Sequence, residues 1–433
     1  MNSGEFSSRR RQLMRMVGND AIAILPAAPV RKRNRDIDYH YRQDSDFYYL
    51  SGFEEPEAVI VLAPGRASGE FVLFCRDKDP QKELWDGVIL GPEAAVEQLG
   101  ADDAFPISDI DEILPGLLES RERVYFALGV YPEFDQQLTE WLKALQARGV
   151  ARSHTPQEIV SLNHYLHDMR LYKSPKELSA MRRAAKITAR AHERAIRRVA
   201  PGLHEYELEA EFDYEFRRNN ARHAYPPIVG AGKNACILHY TANNQIIRDG
   251  DLVMIDAGCE LDYYASDVSR TFPANGRFSG EQKALYEVVL NAQLAAIAQV
   301  QSGQQWNVPH DAALATITEG LLALGILQGD LAELIEVEAC KPYFMHRTGH
   351  WLGMDVHDVG DYRVGDEWRV LEPGMVTTVE PGIYVSPDAS VDPRWRGIGV
   401  RIEDDVAVTR KGPDVLSKAL AKTITDIEAL AND

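Results

Sequence analysis

Four acidic residues and one histidine stand in or at the ends of apolar, strand-like runs in the C-terminal part of this chain. They are Asp256 in LVMIDAG, Asp267 in YASDVSRTF, His350 in MHRTGHWLGMDVHD, Glu380 in MVTTVEPGIYV and Glu403 in GVRIEDDVAV. A carboxylate at the end of a buried strand is costly unless a positive group compensates it. Four can be buried together only around a strong cation, and a two-metal site is the usual solution. The set therefore points to a dinuclear metallohydrolase. Taken singly, each residue has an ordinary reading. Asp256 could be a turn residue before Ala257-Gly258, Asp267 a helix cap or edge-strand residue, and Glu380 a turn carboxylate before Pro381-Gly382. Glu403-Asp404-Asp405 could be a solvated charge run, although Arg401 and Glu403, two apart on a strand, would share one face.

His346 and His350, four apart, invite comparison with the HExxH zinc helix. The comparison fails, because Arg347 stands where the catalytic Glu would be and Gly349 weakens a helix. His350 is better read as a single ligand beside carboxylates. Such a shell is hard and oxygen-rich and suits two divalent ions, Mn²⁺ first, with Co²⁺ or Zn²⁺ as alternatives. His239 in ACILHYTANN and His357 in GMDVHDVG would each, alone, be an ordinary hydrogen-bonded core histidine. Beside a metal they become candidate donors to a developing oxyanion.

Two domains must position these groups, since 433 residues exceed one ordinary core. In residues 1–172, AIAIL, AVIVLAP, EFVLFC and RVYFAL read as covered strands. EAAVEQLG and YPEFDQQLTEWLKALQARG carry helical periodicity, which makes an α/β domain with a mixed or parallel sheet. Ser174-Pro175 followed by Glu177 has the form of a helix start and opens a second domain over 173–433. Helices are expected from there to about Val199, over EYELEAEFDYEFRRNN, from Glu281 to about Gln301 and from Pro309 to about Leu324. GDLVMIDAG and PGMVTTVEPG echo each other: a turn, an apolar strand, then an acid with Gly close behind. Each acid has a second acid downstream, Asp267 for Asp256 and Glu403 for Glu380. The expected architecture is a duplicated hairpin unit about a pseudo-twofold axis.

Composition limits the alternatives. A formal net charge of −19 argues against a nucleic-acid surface, and the Arg9-Arg10-Arg11 and Arg31-Lys32-Arg33 clusters read as a solvated helix start and a loop. No apolar run reaches the roughly 18–20 residues that span a bilayer, so no membrane association is expected. Neither GxGxxG nor GxxxxGK[ST] occurs, which leaves nucleotide binding unsupported. Cys75, Cys236, Cys259 and Cys340 form no CxxC pair and fit free thiols in a reducing cytoplasm.

The order and spacing of Asp256, Asp267, His350 in HxxxHWLGxxVHD, Glu380 in VEPGIY and Glu403 in GVRIEDD closely resemble the pita-bread metallopeptidases, and among them aminopeptidase P, the Xaa-Pro aminopeptidase family. YRQDSDFYYLSGFEEPEAV resembles that family's first-domain motif and MRLYKSPKELSAMRRAA its inter-domain linker, so nearly the whole chain is covered. The resemblance implies an α+β pita-bread (creatinase/aminopeptidase-like) catalytic domain behind the α/β domain. It implies two divalent ions held by Asp256, Asp267, His350, Glu380 and Glu403, with Asp267 and Glu403 bridging. A hydroxide between the ions would attack the peptide bond leading into proline in an N-terminal Xaa-Pro peptide, with Glu380 shuttling the proton. His357 and His239 would hydrogen-bond substrate and intermediate, and His346 would line the proline-side pocket. Arg401 and Tyr384 would support Asp256. Trp85 in KELWDG resembles a residue that reaches a neighbouring subunit's site, and a homodimer or homotetramer is expected on that ground. Arg347 stands where many relatives have Gly. The rivals are a prolidase restricted to Xaa-Pro dipeptides and a metal-free pita-bread binding module.

Overall fold

The computed structural model describes residues 3–147 and 154–433. The chain divides into two units, Met1–Met169 and Arg170–Asp433. The division falls three residues before the 172/173 boundary drawn from sequence. Arg170 and Lys173, at the start of the second unit, both bind Asp358 of that unit, at 2.6 and 3.0 Å.

The first unit is built on a six-stranded mixed sheet with Ala21–Pro26 near its centre. That strand pairs antiparallel with Val59–Leu62 and parallel with Arg123–Phe126, and Phe71–Cys75 continues one side. The four apolar runs of the sequence are these four strands. Both outer strands, Asp103–Pro106 and Glu158–Ser161, lack an apolar run because edge strands are only partly covered. The helix Pro132–Ala147 lays Phe134, Leu138, Trp141 and Leu145 on the sheet; Arg148 and Gly149 of the expected helix lie outside the described residues. One expectation is overturned. Arg9 and Arg10 are not solvated but buried, donating to the carbonyls of Tyr49 and Leu50 at 3.0 and 2.8 Å. These carbonyls end the helix Ser45–Ser51 and lack partners within it. The guanidinium groups also stack 3.9 Å from the rings of Tyr49 and Phe71, so both flat faces and donors are used.

The second unit repeats one order of elements. Helices Pro175–Arg198 and Glu205–Arg218 precede the antiparallel sheet of Ile228–Ala231, Leu252–Ala257 and Val268–Pro273. Helices Gly280–Gln299 and Val308–Ala323 precede the strands Val376–Val379, Asp404–Thr409 and Gly412–Val415, with a short hairpin of Gly382–Tyr384 and Gly399–Arg401 between them. The first helix starts where expected: Ser174 and Glu177 form a reciprocal capping box, and Glu177 also accepts from the Tyr264 hydroxyl at 2.9 Å. In each half the second acid directly precedes its strand. Val268, after Asp267, pairs with Ala257, and Asp404, after Glu403, pairs with Val379.

Candidate metal centre

Three of the five expected donors converge most tightly. One ligand atom each from Asp267, His350 and Glu403 lies within 4.8 Å of the others. His350 Nε2 is 3.4 Å from Asp267 Oδ2 and 3.7 Å from Glu380 Oε1. Asp256 joins through the Tyr225 hydroxyl, which donates to Asp256 Oδ1 at 2.6 Å and also contacts Asp267 Oδ1. Local structure fixes each donor. Asp256 lies in the strand Leu252–Ala257 opposite Ser269. Glu380 follows the last residue of Val376–Val379, and its backbone N–H donates to Thr348 O at 2.7 Å. His350 is held by its ring Nδ1 on Trp351 O at 3.0 Å and by Thr378 Oγ1 on its backbone N–H at 3.1 Å. Gly349 lets this segment press against the strand: a Cβ there would stand 2.1 Å from Thr378 O. Packing, rather than a weakened helix, explains that glycine.

The charges ask for a cation. Glu403 is 1 % exposed, and burial together with the neighbouring Asp267, Glu380 and Asp256 pushes its carboxyl well above the usual range. Burial raises Glu380 to about 7 against the pull of His350 and Arg401. Asp256 is also raised by burial, which outweighs its ion pair with Arg401. Burial opposes a charge on His350, yet the Asp267 hydrogen bond and the Glu380 charge lift it to about 9. Four crowded carboxylates and one imidazole, three of the five converging within 4.8 Å, fit a hard divalent ion.

The remaining expected residues surround this cluster. His346 Nε2 meets the Tyr384 hydroxyl at 2.9 Å, and Arg401 donates to the same hydroxyl at 2.9 Å while also contacting Asp256. Burial and Arg401 push His346 down to about 4, so it is neutral near pH 7. The rings of His357 and His350 meet edge to face with centroids 4.3 Å apart. His239, His346 and His357 all line a cavity of about 640 Å³ that contains the four carboxylates and His350, with Trp306, Tyr362 and Trp368 on its apolar side. Trp85 lies in the other unit, 86 % exposed on the short helix Pro80–Asp86. Two contributors escape the sequence reading. Tyr225, before Pro226-Pro227, carries no pattern that separates it from a loop tyrosine, and Ser269 is one of several hydroxyls on an apolar strand. Ser269 Oγ donates to Glu403 Oε2 at 2.7 Å and accepts from Arg401 Nε at 2.9 Å. The supposed charge run is wholly internal: Glu403, Asp404 and Asp405 are each at most 1 % exposed. Asp404 takes Arg270 at 2.8 Å, Lys422 at 2.8 Å and the Ser417 hydroxyl at 2.6 Å. Asp405 accepts the Asp267 N–H at 3.1 Å.

Comparison with known proteins agrees with this geometry. A family model described as metallopeptidase family M24 matches residues 179–410, and one described as aminopeptidase P, N-terminal domain, matches residues 6–125. The Xaa-Pro aminopeptidase of Escherichia coli K12 is 45 % identical over 428 residues, 98 % of this chain and 97 % of its own length. The solved structure of Pseudomonas aeruginosa aminopeptidase PepP is 59 % identical with a TM-score of 0.99, covering 100 % of this chain and 98 % of that one. An Escherichia coli aminopeptidase P variant solved in complex with substrate is 44 % identical with a TM-score of 0.97, again covering 100 % of this chain and 98 % of that one. A pita-bread catalytic unit behind an aminopeptidase P first domain, similar over its whole length to these proteins, belongs to the aminopeptidase P branch of metallopeptidase family M24.

Proposed function

We propose that this chain is a metal-dependent Xaa-Pro aminopeptidase, a hydrolase that releases the first residue of peptides with proline second. The observation that carries the reading is the convergence of Asp267, His350 and Glu403 within 4.8 Å beside Asp256 and Glu380, in a chain of this family. Asp256, Asp267, His350, Glu380 and Glu403 would hold two divalent ions, manganese by preference. A divalent ion bound there supplies a water acidic enough to react near neutral pH and a Lewis acid for the scissile carbonyl.

The chain's own residues do the rest. Glu380 accepts the proton of the attacking water and returns it to the proline nitrogen as the bond breaks. His239 and His357, both lining the cavity, donate hydrogen bonds to the carbonyl oxygen as it gains charge. Burial lowers the His357 pKa, which keeps its imidazole a neutral donor rather than a cation beside the ions. His346, held by the Tyr384 hydroxyl, lines the proline-side pocket, and Arg401 orients Asp256 and Tyr384 together.

The assembly is part of the proposal. Leu84, Trp85 and Val88 are 82, 86 and 86 % exposed, a cluster that suits self-association into a homodimer or homotetramer, with Trp85 presented to a neighbour's substrate. A cytoplasmic setting is supported by four free cysteines, and among the described residues no helix is long and apolar enough to cross a membrane. Full-length similarity to Xaa-Pro aminopeptidases does not favour the prolidase reading. The test is hydrolysis of Arg-Pro-Pro beside Ala-Pro, before and after chelation. Tripeptide cleavage abolished by chelator and restored by Mn²⁺ is expected. Cleavage of the dipeptide alone would make the enzyme a prolidase. No cleavage of either, with no metal bound, would make it a binding module.

A further inference from the structure

Two arginines line the cavity. Arg401 is fully engaged by Ser269, Tyr384 and Asp256. Arg347 is not. It is exposed, its guanidinium lies 5.3 Å from the centre of the Trp368 ring, and among the described residues no carboxylate is within ion-pair distance of it. A second guanidinium, that of Arg363, lies 4.1 Å from the same ring and donates to the Asp366 carbonyl at 3.3 Å. The short hairpin of Arg363–Val364 and Glu367–Trp368 carries both the indole and Arg363.

Two like charges gathered on one aromatic ring repel each other and attract an anion. The location matters because the rest of the chain discourages anions: the net charge is −19 and the cavity interior holds four carboxylates. A peptide in its zwitterionic form fits this division of charge. Its amino end suits the acidic interior, and its carboxylate suits the Arg347 wall. The flat guanidinium can meet a carboxylate with two parallel N–H donors while its face stays on the indole.

We propose that Arg347, seated on Trp368 and assisted by Arg363, is a specificity residue that binds a carboxylate of the peptide beyond the proline. The carboxylate comes either from the free C-terminus of a short peptide or from an acidic side chain at the third position. The proposal rests on the aminopeptidase reading for the peptide's direction, and on Arg347 alone for the charge preference.

The test compares kcat/KM for Arg-Pro-Ala with its C-terminal amide, and for Arg-Pro-Asp-amide with Arg-Pro-Asn-amide. The wild-type enzyme should prefer the acid in at least one pair by about tenfold, the scale of one exposed charge-assisted hydrogen bond. The first pair reports a C-terminal carboxylate and the second a side chain. Arg347→Ala should lose about that factor for the acid relative to the amide, and Arg347→Lys should retain part of it. A packing role would lower both members of a pair alike and leave the ratio unmoved, which would overturn the proposal. So would a wild-type ratio near one in both pairs. If no peptide is cleaved, the aminopeptidase reading fails by itself. Calorimetric binding of Pro-Ala against Pro-Ala-amide, to wild type and Arg347→Ala, then decides the carboxylate preference independently.

Discussion

The Ser269 hydroxyl donates to Glu403 Oε2 at 2.7 Å from a position completely closed to solvent. Ser269 Oγ also accepts the Arg401 Nε–H at 2.9 Å. One small side chain therefore fixes both a carboxylate proposed to hold the metal and the guanidinium that holds Asp256. Removing it should loosen the cage without removing a donor. Ser269→Ala is expected to weaken metal binding about tenfold to a hundredfold, measured by competition with a chromophoric chelator. Unchanged affinity would mean that Glu403 is oriented by its strand alone.

Arg401 and Asp256 form a buried ion pair that also takes in Tyr384. Breaking such a pair from one side leaves an uncompensated charge and costs about 3–5 kcal/mol. Arg401→Met and Asp256→Asn should each destabilise the chelator-treated protein, and the double variant should lose less than the sum. Urea denaturation of the four proteins should return a coupling energy above about 1 kcal/mol. Additive losses would show that the two residues are stabilised separately by Ser269 and Tyr225.

That pairing also marks how far the sequence could be read. Asp256 and Glu380 are legible because an apolar strand delivers each of them, and the strand period is local information. Asp404 and Asp405 are not legible, since a run of three acids ordinarily belongs in water. Their burial depends on Arg270, Lys422 and the Asp267 N–H, of which Arg270 and Asp267 lie more than 130 residues away in the chain. Tyr225 is hidden for the same reason, being significant only where Asp256 and Asp267 come together. Arg9 and Arg10 show the converse error: a basic cluster reads as solvated until the carbonyl ends of another helix are found above it. The partly covered edge strands escape a period-based reading, whereas the covered strands and the capping box at Ser174 do not.

His192 is fully buried, with Nε2 on Val268 O at 2.9 Å and its ring edge to face with Phe212. Burial, with some help from Arg270, pushes its pKa down to about 3. The unfolded chain takes up this proton near 6.5 and the folded chain only near 3, so stability falls as pH drops through that interval. Between pH 7 and pH 5 the single site should remove about 2 kcal/mol. Comparing urea midpoints at these two pH values, His192→Gln should show a smaller loss than wild type by about that amount. Equal losses in both proteins would mean that His192 takes up its proton without unfolding.

Asp358 titrates in a lower window. It is buried between Arg170 at 2.6 Å and Lys173 at 3.0 Å. Burial opposes its charge, but Lys173 and Arg170 prevail and hold its carboxyl below the usual 3.8. A depressed folded pKa gives stability that is complete above 3.8 and is lost as pH falls through the folded value. Asp358→Asn takes the carboxylate away from buried Lys173 and leaves Arg170 with Asp355 at 2.7 Å, and should cost about 3–5 kcal/mol near neutral pH. The gap between wild type and variant should stay constant from pH 7 to pH 5 and narrow below pH 4, followed by thermal unfolding across that range. Gly353 offers a check through shape rather than charge. A Cβ there would lie 2.0 Å from Asp358 Oδ2 and 2.8 Å from Lys173 Cε, so Gly353→Ala must displace Asp358 or Lys173. It should reproduce the narrowing gap with every charge still present. A gap that stays constant below pH 4 in both variants would place the stabilising contribution in packing and remove Asp358 from the acid response.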